Sequence, residues 1–497
     1  MQKLILTLIL LISAQILIAA KLPDGTIVDD RLIKEAYTQY RQYTFNSPVL
    51  LNTPLGRKEL KYVHFEDNGR IQAMRFSSME KIKIPAGEVS AIEVEFYYYG
   101  SKPYISKVVL ADNFTVKIPA GNLFLENKDS ITFDCFDNMI SITMAGKRKL
   151  IYNGSTIMIS GNIITNAGYR DFGITLAEPA EIKTPAGKLK FAGIIKFNSD
   201  GSLLSGTLEK AQKADTPQGR LLITFINFAP GGKVYYCTLA SPGTLETLWG
   251  SMKLKGGVRF ATNGKVDSGT CDSIQAIRFS FGECRVKDNF YFDYSAMKSN
   301  FTLAEDQKVL APFGEQVITR SFGSHPDGSL AWFTPKNDLT LQTPFGEFIN
   351  KGGSTMGLYP DGKVEYFTIK KPRIIDTHAG KLKVTGLINL YNDGKLKSAE
   401  TLNPFVIKSR AGNLTVKGYV AFYNNGNVQF CSLEKSTTLK TSAGNISVQG
   451  YADFNETGSL IEGRLAAPVK IKGVTYRKGS VIKFNESGEV ISPMPGK

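Results

Sequence analysis

The sequence predicts an all-β fold: a repetitive antiparallel β-hairpin meander with a period of about 32 residues, elongated as a twisted sheet or solenoid-like, with a short N-terminal helix. Three observations carry this. Gly380, Gly412 and Gly444 recur at a step of 32, as do Gly394, Gly426 and Gly458, and the two series interleave at 14 and 18. Between these glycines apolar residues alternate with polar ones, the period-2 signature of half-buried strands. Both ends of each run carry hairpin chemistry. A fixed period marks one supersecondary unit used many times over.

The first turn type is Thr184-Pro185-Ala186-Gly187 or Thr343-Pro344-Phe345-Gly346. Proline's fixed φ suits the first central position of a type I turn, and glycine takes the left-handed position of a G1 bulge. The second type, Asn392-Asp393-Gly394 or Pro360-Asp361-Gly362, makes the same connection with other residues. Gly193, Gly386, Gly418 and Gly450 recur within strands, where an interior glycine implies a bend, a bulge or a close backbone approach. The pattern extends back, with more wear, to Ile84-Pro85-Ala86-Gly87.

Two stretches break the rhythm. Asp29 to Tyr43 reads as a short capped helix with Leu32, Ala36 and Tyr40 on one side. Cys271 to Asp306 keeps strand alternation but loses the turn spacing, and is expected to join two arrays. The resulting division is a signal peptide over 1–20, a helical segment over 21–45, a first β-repeat array over 46–265, an irregular β junction over 266–310 and a second, more regular array over 311–497.

The leader reading rests on Lys3, the apolar run Leu4 to Ile12 and the small residues Ala14, Ala19 and Ala20, with cleavage expected after Ala20. No cysteine follows these sites, so the chain is expected to be exported, not a lipoprotein, and periplasmic, surface-associated or secreted. The formal charge of +15 is spread thinly. Lysines alternate with apolar residues, as in Lys81-Ile82-Lys83 and Lys381-Leu382-Lys383, which puts them on one strand face. Such a face resists edge-to-edge aggregation and is compatible with an anionic glycan or lipid, or another envelope protein, as partner; nucleic acid is not expected.

Five cysteines make no CxxC pair. Cys271 and Cys284 are close enough in sequence to bridge, whereas Cys135, Cys237 and Cys431 read as buried thiols. His64 sits in a strand pattern, and His325 and His378 sit in turns, His378 where sister units carry Pro344, Arg410 or Ser442. No nucleophile elbow, phosphate loop, HExxH or EF-hand pattern occurs. No catalytic, cofactor-binding or metal residue is therefore assigned, no cofactor is expected, and the chain reads as a non-enzyme. The expected role is a structural or binding surface of the cell envelope. The alternatives are a periplasmic lipid- or glycolipid-binding β-groove and, less favoured, an outer-membrane β-barrel.

At Tyr359-Pro-Asp-Gly-Lys-Val, Tyr391-Asn-Asp-Gly-Lys-Leu and Tyr423-Asn-Asn-Gly-Asn-Val the turns resemble MORN-type and YwqK-like hairpin repeats. The stretch from Gly463 to Gly479 is similar to exported bacterial hairpin-repeat proteins of unknown function. The resemblance implies one hairpin per motif and partner-binding or membrane-associated roles; no functional residue is carried over from it.

Overall fold

The computed structural model describes residues 19–37, 41–134, 138–164, 171–485 and 488–492. The leader residues 1–18, Tyr40 and Cys135 lie outside them. The fold is all-β, with 70% strand and 1% helix, and no helix of seven residues or more among the described residues. Strands follow one another as antiparallel neighbours in a long meander, as the turn chemistry predicts.

The unit Leu396–Ser409, Gly412–Phe422, Val428–Leu433, Thr437–Thr441 and Gly444–Phe454 shows the plan. Ser409 faces Gly412 across the first turn, and pairing runs back along both strands to Ser398↔Ala421. Val428–Leu433 then pairs on both sides, Ala421↔Phe430 and Phe430↔Asp453, so this half of the repeat forms a continuous sheet. The other half, Thr437–Thr441 paired with residues 444–448, forms a hairpin arm tied to the preceding tip by Lys440 N–H donating to the Ala411 carbonyl (2.8 Å).

The bulge between the two halves is where the mid-strand glycines sit. Register shifts fall between Thr385 and Ile388, Val416 and Val420, and Gln449 and Ala452, around Gly386 (φ +65), Gly418 (φ +88) and Gly450 (φ +77). Alternation works as predicted: Leu189 and Leu382 are fully buried, while the flanking Lys188, Lys190, Lys381 and Lys383 are exposed. The core is therefore the inward file of one strand after another, exemplified by Val384, Leu414, Val416, Val420 and Phe454.

Two expectations are corrected. The N-terminal helix over Asp29 to Tyr43 reduces to one 3₁₀ turn, Asp30–Leu32, after which Ile33–Tyr37 is a strand paired with Gln42–Thr53. The cap itself is present, Asp29 accepting from Arg31 N–H at 3.0 Å. Helices this short are marginal, and a neighbouring strand offers this backbone a full ladder. The junction over 266–310 is not irregular. Val266–Cys271, Gln275–Phe279, Gly282–Asp293 and Lys298–Leu303 continue the meander, and the compact units divide between Ser241 and Pro242.

The rhythm was hidden there because other residues occupy the marker positions. Phe279-Ser280-Phe281-Gly282 makes the first turn type without threonine or proline, Phe279 pairing with Gly282. Gly250, Gly282 and Gly314 then keep the step of 32. Asp288 (φ +57) and Arg320 (φ +64) hold the left-handed bulge position that glycine fills elsewhere, and Met297 (φ +51) does so in the turn. Left-handed backbone costs a non-glycine residue about 1–2 kcal/mol.

Candidate functional site

The recurring polar residues of each repeat are spent on closing its own turns and on joining it to the next repeat. At the first turn, Thr184 Oγ1 donates to the Gly187 carbonyl (2.8 Å) and accepts from Ala186 N–H (3.1 Å), an arrangement repeated at Thr216, Thr377 and Thr441. At the second, tyrosine hydroxyls reach one repeat forward. Tyr359 donates to the Leu390 carbonyl (2.8 Å), Tyr391 to Phe422 (2.7 Å) and Tyr423 to Phe454 (2.8 Å). Burial pushes each of these phenols above its ordinary pKa. With their amide groups oriented so that nitrogen faces the carboxylate, Asn392 donates to Asp361 (3.1 Å) and Asn424 to Asp393 (3.0 Å), in a parallel ladder.

Within the second unit the two turn types meet. A methyl group added at Gly394 would lie 2.5 Å from the Pro344 ring, at Gly426 2.6 Å from His378, and at Gly458 3.2 Å from Arg410. The first-turn tip thus packs on the glycine of a later second turn, one repeat after another. Beside the His378 contact lies a cavity of about 260 Å³ with Phe345, Leu396 and Phe422 as apolar lining and His378, Lys395 and Tyr423 as polar lining. The next tip borders a second hollow of about 380 Å³, where Arg410 replaces His378.

Hydrogen bonds within the turn hold the Asp200, Asp327, Asp361 and Asp393 carboxyls below their ordinary pKa, from Ser202, Ser329, Lys363 and Lys395 respectively. A depressed folded-state pKa contributes stability that is present above the unfolded value of 3.8 and is lost as pH falls through the folded value. An Asp361→Asn/Asp393→Asn protein is therefore expected to lose less stability than the parent as pH drops below about 4. Parallel denaturant curves at pH 5 and pH 3 check this; identical losses would remove the turns from the acid response.

The ionic groups that are buried are structural. In the first unit Asp129 is fully buried and accepts from Arg148 Nε (2.5 Å) and Nη2 (2.8 Å) and from the backbone N–H of Glu126 and Ala145 (both 2.8 Å). That hydrogen bonding holds the guanidinium above its ordinary pKa. In the second, Asp267 accepts from Arg259 Nε (2.6 Å) and the Tyr294 hydroxyl (2.5 Å). His325 is buried and its Nε2 donates to the Leu358 carbonyl (3.0 Å), while His64 lies in a ladder between Gln42 and Ala73. Among the described residues no three His, Cys, Asp or Glu side chains gather as a metal site requires.

Cys271 and Cys284, the candidate disulfide, are free and buried, as are Cys237 and Cys431. Cys271 pairs with Leu254 and Cys284 with Ile277, so each thiol belongs to its own strand's inward file. Burial pushes the thiols up to about 12 for Cys237, Cys284 and Cys431, and to about 11 for Cys271. Thiolate is the reactive form, so iodoacetamide at pH 8 is expected to spare all four in native protein and alkylate them after denaturation. Peptide mass spectrometry reads both; rapid native labelling, or a linked Cys271–Cys284 peptide, contradicts this packing.

No protein-family model and no curated protein sequence matches the chain. Among solved structures it is similar to TcdB2-TccC3 without its hypervariable C-terminal region, at 11% identity and a TM-score of 0.11, over 86% of this chain and 30% of that one. The chain thus spans under a third of that protein's length, and the likeness carries no argument about fold or function.

Proposed function

We propose that this chain is a non-catalytic, exported β-repeat protein of the cell envelope, acting through its outward sheet face as a structural or binding surface. The observation that supports this best is the use made of the repeat's polar residues. The threonine, tyrosine, asparagine and aspartate side chains that recur with the period bond to the backbone or to the next repeat, which builds a stiff support and leaves the strand faces to meet partners. The lipid-groove alternative is weaker because the hollows form no continuous trough: each sits at one contact between turns, as beside His378 (about 260 Å³) and beside Arg410 (about 380 Å³), and is lined in part by polar turn residues. Against a lipid-facing barrel stand the exposed lysines that alternate along the strands.

Fractionation of the source cells with protease added to intact cells tests the reading. The protein is expected in the envelope or medium; a cytosolic pool resistant to protease until lysis overturns export. Turnover of a hydrolase or transferase substrate by purified protein, abolished by one substitution, overturns the non-catalytic part.

A further inference from the structure

The outward face of the second unit carries an uncharged track, a row in which Trp332, Tyr366, Asn389 and Phe430 are half-buried and Gly323, Gly357, Ser398 and Ala421 are buried between them. Cross-strand register links Gly323 to Trp332, Trp332 to Gly357 and Gly357 to Tyr366. From Tyr366 it continues to Asn389, Ser398, Ala421 and Phe430. Eight strands contribute one residue each, a line of ~34 Å at the usual strand separation. The residues beside them in sequence, such as Phe322, Phe333, Phe367 and Val420, are fully buried, so the track lies on the opposite face. Beyond Phe430 the same row becomes charged, with Asp453, Glu462 and Lys483. In the first unit the corresponding face is charged, as Arg75–Glu93 and Lys107–Glu95 pair across strands there.

The track is also smooth. A methyl group at Gly323 would lie 2.0 Å from Trp332 Nε1, and one at Gly357 2.1 Å from Tyr366 Cε1, so each large ring lies across a bare glycine backbone. The Asn389 amide donates to Ser398 Oγ at 2.8 Å. Phe430 stacks on Tyr451 (5.9 Å, 16°) and meets Tyr419 at 5.9 Å, which broadens the end of the track. Half-buried ring surfaces at intervals, the Asn389 amide between them and no charge along the row are a poor match for phosphate backbones, which need lysine or arginine, or for anionic lipid headgroups. They match a chain of pyranose rings, whose C–H faces lie on aromatic rings and whose hydroxyls exchange hydrogen bonds with amides.

We propose that this track binds a neutral polysaccharide, laid across the strands from Trp332 to Phe430. The proposal rests on the binding-surface reading above and gives that surface its ligand class. Affinity electrophoresis of the full chain through gels containing hydroxyethylcellulose, xylan or laminarin, with alginate as an anionic comparison, tests it. Retardation by at least one neutral polymer is expected, unchanged when salt is raised. Phe430→Ala and, at a surface amide, Asn389→Lys are expected to weaken it roughly tenfold each, with unaltered circular dichroism; Tyr97→Ala in the first unit is expected to leave it unchanged. Passage unretarded through all three neutral polymers overturns the proposal, as does retardation that both track variants retain. Retardation by alginate alone, abolished by salt, also overturns it, while leaving a binding surface of another chemistry in place.

Discussion

Gly201→Ala is expected to lower the stability of the first unit by ~4 kcal/mol or more, in the range reserved for severe backbone conflicts, whereas Gly219→Ala costs about 1–2 kcal/mol. The two glycines share the same backbone, φ +85 and φ +83, so the conformational penalty is common to both. Their surroundings differ. An added Cβ at Gly201 would lie 1.9 Å from the Pro119 carbonyl oxygen and 2.6 Å from its carbon, and at Gly219 it meets nothing within 4 Å. The obstacle at Gly201 is main chain, which cannot swing aside as a side chain can. Thermal melts followed by far-ultraviolet circular dichroism, with hydrogen exchange of the peptides over 203–228, separate the two. Equal shifts would show that only the left-handed φ matters at these turns.

The second large effect concerns Arg148. Replacing it with methionine is expected to cost about 3–5 kcal/mol, because it strands a buried carboxylate. Asp129 is wholly inaccessible and the Arg148 side chain is only 8% exposed, so solvent cannot take over the pairing. Asp129→Ala is expected to be no milder, since the Glu126 and Ala145 N–H donors then lose their acceptor. By comparison Arg220→Ala, which breaks a pair whose side chains are 70% and 67% exposed, is expected to change stability by less than about 1 kcal/mol. Urea denaturation of the three variants reads all of this. A methionine variant as stable as the Arg220 variant would mean that the first unit rearranges to hydrate Asp129.

Much of the architecture is legible because the repeat writes the same backbone requirement many times. Gly412 and Gly426 announce their turns through the only residue that takes positive φ without strain, and the alternation Lys381-Leu382-Lys383 announces which face is buried. Legibility fails where another residue accepts that strain. Asp288, Met297 and Arg320 occupy left-handed positions, so the stretch around Cys271 reads as a break although its backbone is regular. It fails differently at Asp29 to Tyr43, where the same apolar residues fit both periods and the choice falls to the strand Gln42–Thr53 alongside. The tip-on-turn contacts were not legible at all, since nothing local connects His378 with Gly426. The candidate track was equally hidden: Trp332, Tyr366 and Phe430 read one at a time as ordinary strand aromatics.

By itself, then, the sequence determined the fold class, the hairpin period, the turn chemistry and the buried face of most strands, because each depends on φ preference and alternation within a few residues. Tertiary structure decided which turn tips dock on which glycines, which thiols are sealed, where the units divide and which side chains share a row. Those are properties of register, and register brings together residues about 20 to 80 positions apart.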